Sequence, residues 1–138
     1  MHHHPWRELR ALPHVTLHLA DDLPAEVRGL TDGERRIWLA AGMSQVQRRC
    51  TITHELVHIR RGHRGCQPEA VERSVRREVA HRLIPDVHGL GDALAWARNA
   101  EEAADALWVT TEVLLDRLAS LHPAERAMLT ARADETHA

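Results

Sequence analysis

Arg48-Arg49-Cys50-Thr51-Ile52-Thr53-His54-Glu55-Leu56-Val57-His58-Ile59-Arg60-Arg61-Gly62-His63 is the stretch on which the reading of this chain turns. At its centre, His54-Glu55-Leu56-Val57-His58 sets two histidines four residues apart. On an α-helix such residues stand one above the other on one face. Two imidazoles so placed can grip one tetrahedral metal ion, and Glu55 beside them can take a proton from water held there. The helix this requires is expected from its ends. Ser44 followed by Gln47 reads as a capping box, no proline interrupts the run, and Gly62 can end it. A surface helix with two unconnected histidines is the plainer alternative. Against it, Leu56, Val57 and Ile59 supply enough apolar surface to bury part of the helix, and buried neutral imidazoles need partners.

Upstream, His14-Val15-Thr16-Leu17-His18-Leu19 alternates polar and apolar residues and predicts a half-buried strand with Val15, Leu17 and Leu19 on one face. Residues 27–30 and 35–40 predict a β-hairpin about Asp32-Gly33, with Ile37 and Leu39 on one face and Trp38 on the other. A small antiparallel sheet of about three strands is therefore expected before the motif helix.

Downstream, a second helix is expected from Pro68 to about Ile84, stopped by Pro85. Val71, Val75, Val79 and Leu83 form its apolar stripe, and a 100° step per residue sets Glu72 within it. A carboxylate aimed into a core needs a cation, which a metal would supply. Arg82 falls in the same stripe, so pairing of Glu72 with an arginine is the alternative. Residues 90–97, 101–107 and 111–121 predict three short amphipathic helices, and Pro123 opens a last one to about residue 133. The fold class expected is α+β: a small antiparallel sheet packed on the HExxH helix, then a helical, helix-turn-helix-like tail. The boundary is placed near Asn99, giving a zincin-like part over residues 1–98 and a tail over 99–138.

Composition narrows the function classes. The 138 residues suffice for a core, and a net charge of −2 with no basic run argues against nucleic acid. The would-be recognition helix, Thr111-Glu112-Val113-Leu114-Leu115-Asp116-Arg117, carries two acids and one Arg, the reverse of what phosphate contact requires. No stretch is long and apolar enough for a membrane span, and the N-terminus lacks an apolar signal region. With only two cysteines, Cys50 and Cys66, a reducing cytoplasm and free thiols are expected. All eighteen cationic residues are Arg, and Tyr is absent. The tract His2 to His4 is left out of the site arguments.

At this point the chain resembles the ImmA/IrrE family of metallopeptidases, whose signature is HExxH followed by E-x-x-A-N-x-F-A-x-x-L-L-x-P on a second helix. Here the first part is His54 to His58, with His63 following. The second is Glu72-Arg73-Ser74-Val75-Arg76-Arg77-Glu78-Val79-Ala80-His81-Arg82-Leu83-Ile84-Pro85. The leading Glu and the closing Leu-Ile-Pro match in register, while Val75, Arg76 and Glu78 replace Ala, Asn and Phe. The resemblance covers residues 27–85 well and the tail loosely. It implies Zn²⁺ held by His54, His58 and Glu72, with Glu55 as catalytic base. It also implies a gluzincin-like fold in which a substrate strand joins the sheet edge, and a protein substrate, typically a helix-turn-helix transcriptional repressor.

Rival metal readings fare less well. A metzincin would need Gly at 61 and His at 64, where this chain has Arg. A structural site from Cys50, His54, His58 and Cys66 would be closed, with no use for Glu55. Peptide hydrolysis also calls for a donor to the developing oxyanion. Without Tyr, His63, Arg76, Arg77 and His81 are the candidates. The second functional reading is a non-catalytic, zinc-stabilised module that sequesters a regulatory protein.

Overall fold

The computed structural model describes residues 4–137. It is a mixed α/β arrangement in the order α1 (Pro5–Arg10), β1 (Thr16–Ala20), β2 (Gly29–Thr31), β3 (Arg36–Ala40), α2 (Gln45–Arg61), α3 (Glu69–Leu83), α4 (Val87–Trp96), α5 (Ala100–Leu107), α6 (Thr111–Ala119) and α7 (Pro123–His137). Helix α1 was not anticipated; Pro5 at its first turn is the signal that marks it.

The sheet has the order β1-β3-β2. The β2–β3 hairpin is antiparallel as expected, but β1 runs parallel to β3, pairing Leu17 with Ile37 and Leu19 with Leu39. The sheet is therefore mixed, not antiparallel throughout. The connection from β1 to β2 is long enough to step across one strand position, which leaves the centre to β3, whose Ile37 and Leu39 are fully buried. Helix α2 packs on β3 and β2. The far end of β1 lies beyond that cover, and Leu19 stays 67% exposed against the expected half-buried face.

The hairpin turn is built by Asp32, whose Oδ1 accepts from the backbone N–H groups of Glu34, Arg35 and Arg36 at 2.8–3.0 Å. Gly33 follows at φ +81°, and a Cβ there would come within 2.0 Å of the His63 carbonyl oxygen. No L-residue fits that position, so the turn packs directly on the loop after α2.

Helix α2 begins with the expected capping box: Gln47 N donates to Ser44 Oγ at 3.1 Å, and Ser44 N donates to Gln47 Oε1 at 3.0 Å. It ends at Gly62. Both its flanks are apolar. Ile52 and Leu56 join Val15, Ile37, Leu39 and Met43 in one cluster. Cys50 and Val57 join a second cluster with Val75, Val79 and Leu83 of α3, Ala103 and Ala104 of α5, and Leu114 of α6. At about 100° per residue, His54, Glu55 and His58 fall between these flanks. The two hydrophobic faces thus leave one polar strip, and it carries the motif. The second cluster runs without a break from α2 to α6, so the segments either side of Asn99 share it.

Two arginines lock the later helices onto this frame. Buried Arg49 donates to the Trp108 carbonyl at 2.5 Å and lies over its ring, 5.9 Å from the centroid. That contact holds the turn from which Thr110 caps α6. Arg117, fully buried, donates to the Ile84 carbonyl at 2.7 Å and to both carboxylate oxygens of Glu125 at 2.9 and 2.6 Å. No helix among the described residues is long and apolar enough to cross a membrane.

Candidate metal centre

Helices α2 and α3 lie against each other, and the third residue they bring to the motif is Glu72. His58 Nε2 lies 3.2 Å from His54 Nε2, and Glu72 Oε2 lies 3.5 Å from His54 Nε2 and 3.3 Å from His58 Nε2. Hydrogen bonds cannot account for all three edges. A ring N–H points along one direction, so two imidazole nitrogens and one carboxylate oxygen cannot satisfy each other mutually. A cation at the centre can. A tetrahedral divalent ion with bonds of about 2.0–2.1 Å spaces its ligands about 3.3–3.4 Å apart, the size of this triangle. Among the described residues, His54, His58 and Glu72 form the group of His, Cys, Asp and Glu side chains able to hold a metal ion.

The protonation states suit that use. Burial, and next to it His58, lowers the His54 imidazole to about 4 despite the opposing pull of Glu72. Burial likewise lowers His58, again against Glu72. Both rings are therefore neutral near pH 7 with a lone pair to offer, as ligation requires. Glu55, 6% exposed, is pushed up to about 8 by burial and then by the charge of Glu72.

The alternative pairings go elsewhere. Arg76, one turn on from Glu72, pairs with Glu69 at 2.8 Å, and Arg82, the arginine of the apolar stripe, pairs with Glu78 at 2.8 Å. Cys50 is buried in the second cluster, where burial raises its thiol pKa, and Cys66 is an exposed free thiol. Neither cysteine belongs to the converging group, so the closed Cys2His2 arrangement does not form.

A groove of about 760 Å³ passes the motif, with His54 and Glu55 in its lining. One wall is the start of β2 and the residues before it, Val27, Arg28 and Gly29. Gly29 is what lets this wall come close: a Cβ there would meet Thr51 Cγ2 at 2.5 Å and Glu55 Oε1 at 3.3 Å. The opposite wall is α6 with Thr110, Glu112, Val113 and Asp116. Arg28 and Glu112 form an ion pair at 2.8 Å that joins the two walls. Strand β2 has β3 as its sheet neighbour on one side, and among the described residues no strand pairs with its other edge.

The four candidate oxyanion donors are dispersed. Arg76 lines the groove. His63 Nδ1 is 3.0 Å from His58 Nδ1, the ring nitrogen not used in the triangle. His81 Nε2 is 3.1 Å from the Ser120 carbonyl, away from the motif, and Arg77 is exposed outside the groove lining. Sequence reasoning missed the groove walls. Strand β2 is three residues long, and α6 reads only as part of an amphipathic tail, so no local pattern announces that they face each other. No family model, curated protein or solved structure matches the chain.

Proposed function

We propose that this chain is a zinc-dependent metallo-endopeptidase that hydrolyses a peptide bond in a specific protein partner. The ImmA/IrrE metallopeptidases it resembles suggest a helix-turn-helix repressor as that partner. The observation that carries the reading is the convergence of His54 Nε2, His58 Nε2 and Glu72 Oε2 at ligand spacing, with Glu55 beside them in the wall of an open groove. Two nitrogens and one oxygen suit zinc and leave one tetrahedral position to spare, which separates a catalytic centre from a structural one. When bound, zinc supplies Lewis acidity, polarising a peptide carbonyl and acidifying water.

The chain supplies the rest. Glu55 takes a proton from the attacking water and returns it to the leaving nitrogen. Burial and the charge of Glu72 raise its carboxyl to about 8, and the charge of a bound cation would lower it again toward the range in which one carboxylate can do both. Arg76, the one candidate donor in the groove lining, keeps guanidinium N–H groups beyond the one that holds Glu69 and can offer them to the developing negative charge. An extended peptide lies along the unpaired edge of β2 and takes main-chain hydrogen bonds there.

The test is zinc per chain by elemental analysis on protein purified without a nickel column, paired with cleavage mapping on a proteome-derived peptide library by mass spectrometry. Wild type should hold one zinc, Glu72→Ala should lose most of it, and Cys66→Ala should keep it. Glu55→Gln should keep zinc and lose cleavage. Zinc that departs with Cys66 and persists without Glu72, or cleavage indifferent to Glu55→Gln, would overturn the proposal. Zinc retained by every one of these chains with no cleavage by wild type would favour the sequestering module instead.

A further inference from the structure

His63 is held in place by more than its own side chain. Its backbone N–H donates to the His58 carbonyl at 3.0 Å, closing the end of α2. Its carbonyl lies against the hairpin turn, so close to Gly33 that a Cβ there would stand 2.0 Å from it. The residues on either side of that contact are tied as well, with Arg64 Nη2 3.5 Å from Glu34 Oε2. The ring so held meets His58 edge to face, centroids 5.2 Å apart, with the two Nδ1 atoms at 3.0 Å.

A 3.0 Å contact between two ring nitrogens carries one hydrogen, and its placement follows from the other end of His58. There Nε2 faces His54 Nε2 and Glu72 Oε2, so a cation held in the triangle would take its lone pair. A neutral imidazole with a free Nε2 lone pair carries its proton on Nδ1. With the centre loaded, His58 Nδ1–H therefore donates, and His63 Nδ1 accepts.

We propose that His63 is a positioning residue for the metal centre: by accepting the Nδ1–H of His58 it sets the tautomer and ring angle with which His58 Nε2 joins His54 and Glu72. This deepens the metalloenzyme reading and rests on it. It also gives His63 a different role from that of an oxyanion donor, because the ring engages the side of His58 remote from the ligand triangle. Ligating histidines generally direct their second nitrogen to a carboxylate, a carbonyl or water. Here an imidazole takes that part, anchored by the hairpin turn through Gly33. The sheet tip, the loop after α2 and the ligand thus form one continuous support.

The test compares substitutions by where they place an acceptor. Asn carries Oδ1 at the position of His Nδ1, whereas the acceptor of Gln lies one bond farther out. Zinc affinity is measured by chelator competition on wild type, His63→Ala, His63→Asn and His63→Gln, each checked for native far-UV circular dichroism in the metal-free state. His63→Ala should weaken zinc binding about 10- to 100-fold. His63→Asn should recover most of the loss, and His63→Gln should resemble the Ala chain. A second readout is the long-range ¹⁵N–¹H spectrum of the zinc-loaded chains, in which the His58 Nδ1–H should be protected from exchange in wild type and His63→Asn, but exchange fast in His63→Ala. Equal zinc affinity in wild type and His63→Ala, or Asn no better than Gln, overturns the proposal while leaving the metal centre standing. A wild type that takes up no zinc overturns the metal centre and the positioning role together.

Discussion

Replacing Glu125 with Ala should cost this fold a large share of its stability, because it strands a buried cation. Arg117 has no exposed surface, and its guanidinium is satisfied by the Ile84 carbonyl and by both oxygens of Glu125. Glu125 Oε1 also accepts the His122 N–H at 3.1 Å, so the same carboxylate caps α7. Removing one partner of a buried ion pair costs about 3–5 kcal/mol, out of roughly 5–15 kcal/mol for a domain of this kind. Urea unfolding followed by far-UV circular dichroism should show that loss, with a melting temperature lower by about 10 °C or more.

The pH dependence gives an independent check. Hydrogen bonding to Arg117 is the leading cause that depresses the Glu125 carboxyl from 4.5 to about 2. A depressed carboxylate stabilises the fold above its unfolded pKa, and that stability is lost as pH falls through the folded value. The window therefore runs from about pH 5 down to about 2. The full shift is worth about 3 kcal/mol, and with 20% of the Glu125 side chain exposed, screening trims this to about 2 kcal/mol. Wild type should lose stability across that window more steeply than Glu125→Gln. A Glu125→Ala chain within about 1 kcal/mol of wild type, or parallel acid profiles for wild type and Glu125→Gln, would refute the reasoning. Adding Arg117→Met to Glu125→Ala should restore part of the loss, since the stranded charge is then gone.

Two smaller effects test the frame around the motif. Gly33→Ala meets both a left-handed backbone and the His63 carbonyl; it should destabilise by more than about 1 kcal/mol in urea titrations, and a loss within error would mean that the loop after α2 yields freely. Ser44→Ala removes half of the capping box on α2 and should cost about 1 kcal/mol. Native-state hydrogen exchange should place the faster-opening amides in the first turn of α2, not near His58.

The parts of this protein legible in its sequence are those that depend on neighbours a few residues apart. The ends of α2 were written in Ser44, Gln47 and Gly62, because caps are local hydrogen bonds. The shared face of His54 and His58 follows from helical pitch alone. The β2–β3 turn is announced by Asp32-Gly33, and Pro85 marks the limit of α3. Glu72 could be singled out on α3 by its place in an apolar stripe, but Arg82 shared that stripe, and periodicity could not rank them.

Tertiary structure decided everything that required two distant segments to meet. It set Glu72 Oε2 within 3.3 Å of His58 Nε2 and directed Arg82 to Glu78 and Glu8. It laid β1 parallel to β3, a choice made by the reach of the connection and the burial of Ile37 and Leu39. It also brought His63 behind His58, and set α6 across a groove from β2, where the sequence suggests only an amphipathic tail. The physical reason is common to these cases. Local spacing fixes which way a side chain leaves its helix, whereas the partner it meets depends on how apolar faces far apart in the chain are buried together. In α2 that burial takes both flanks, and the strip left between them carries His54, Glu55 and His58.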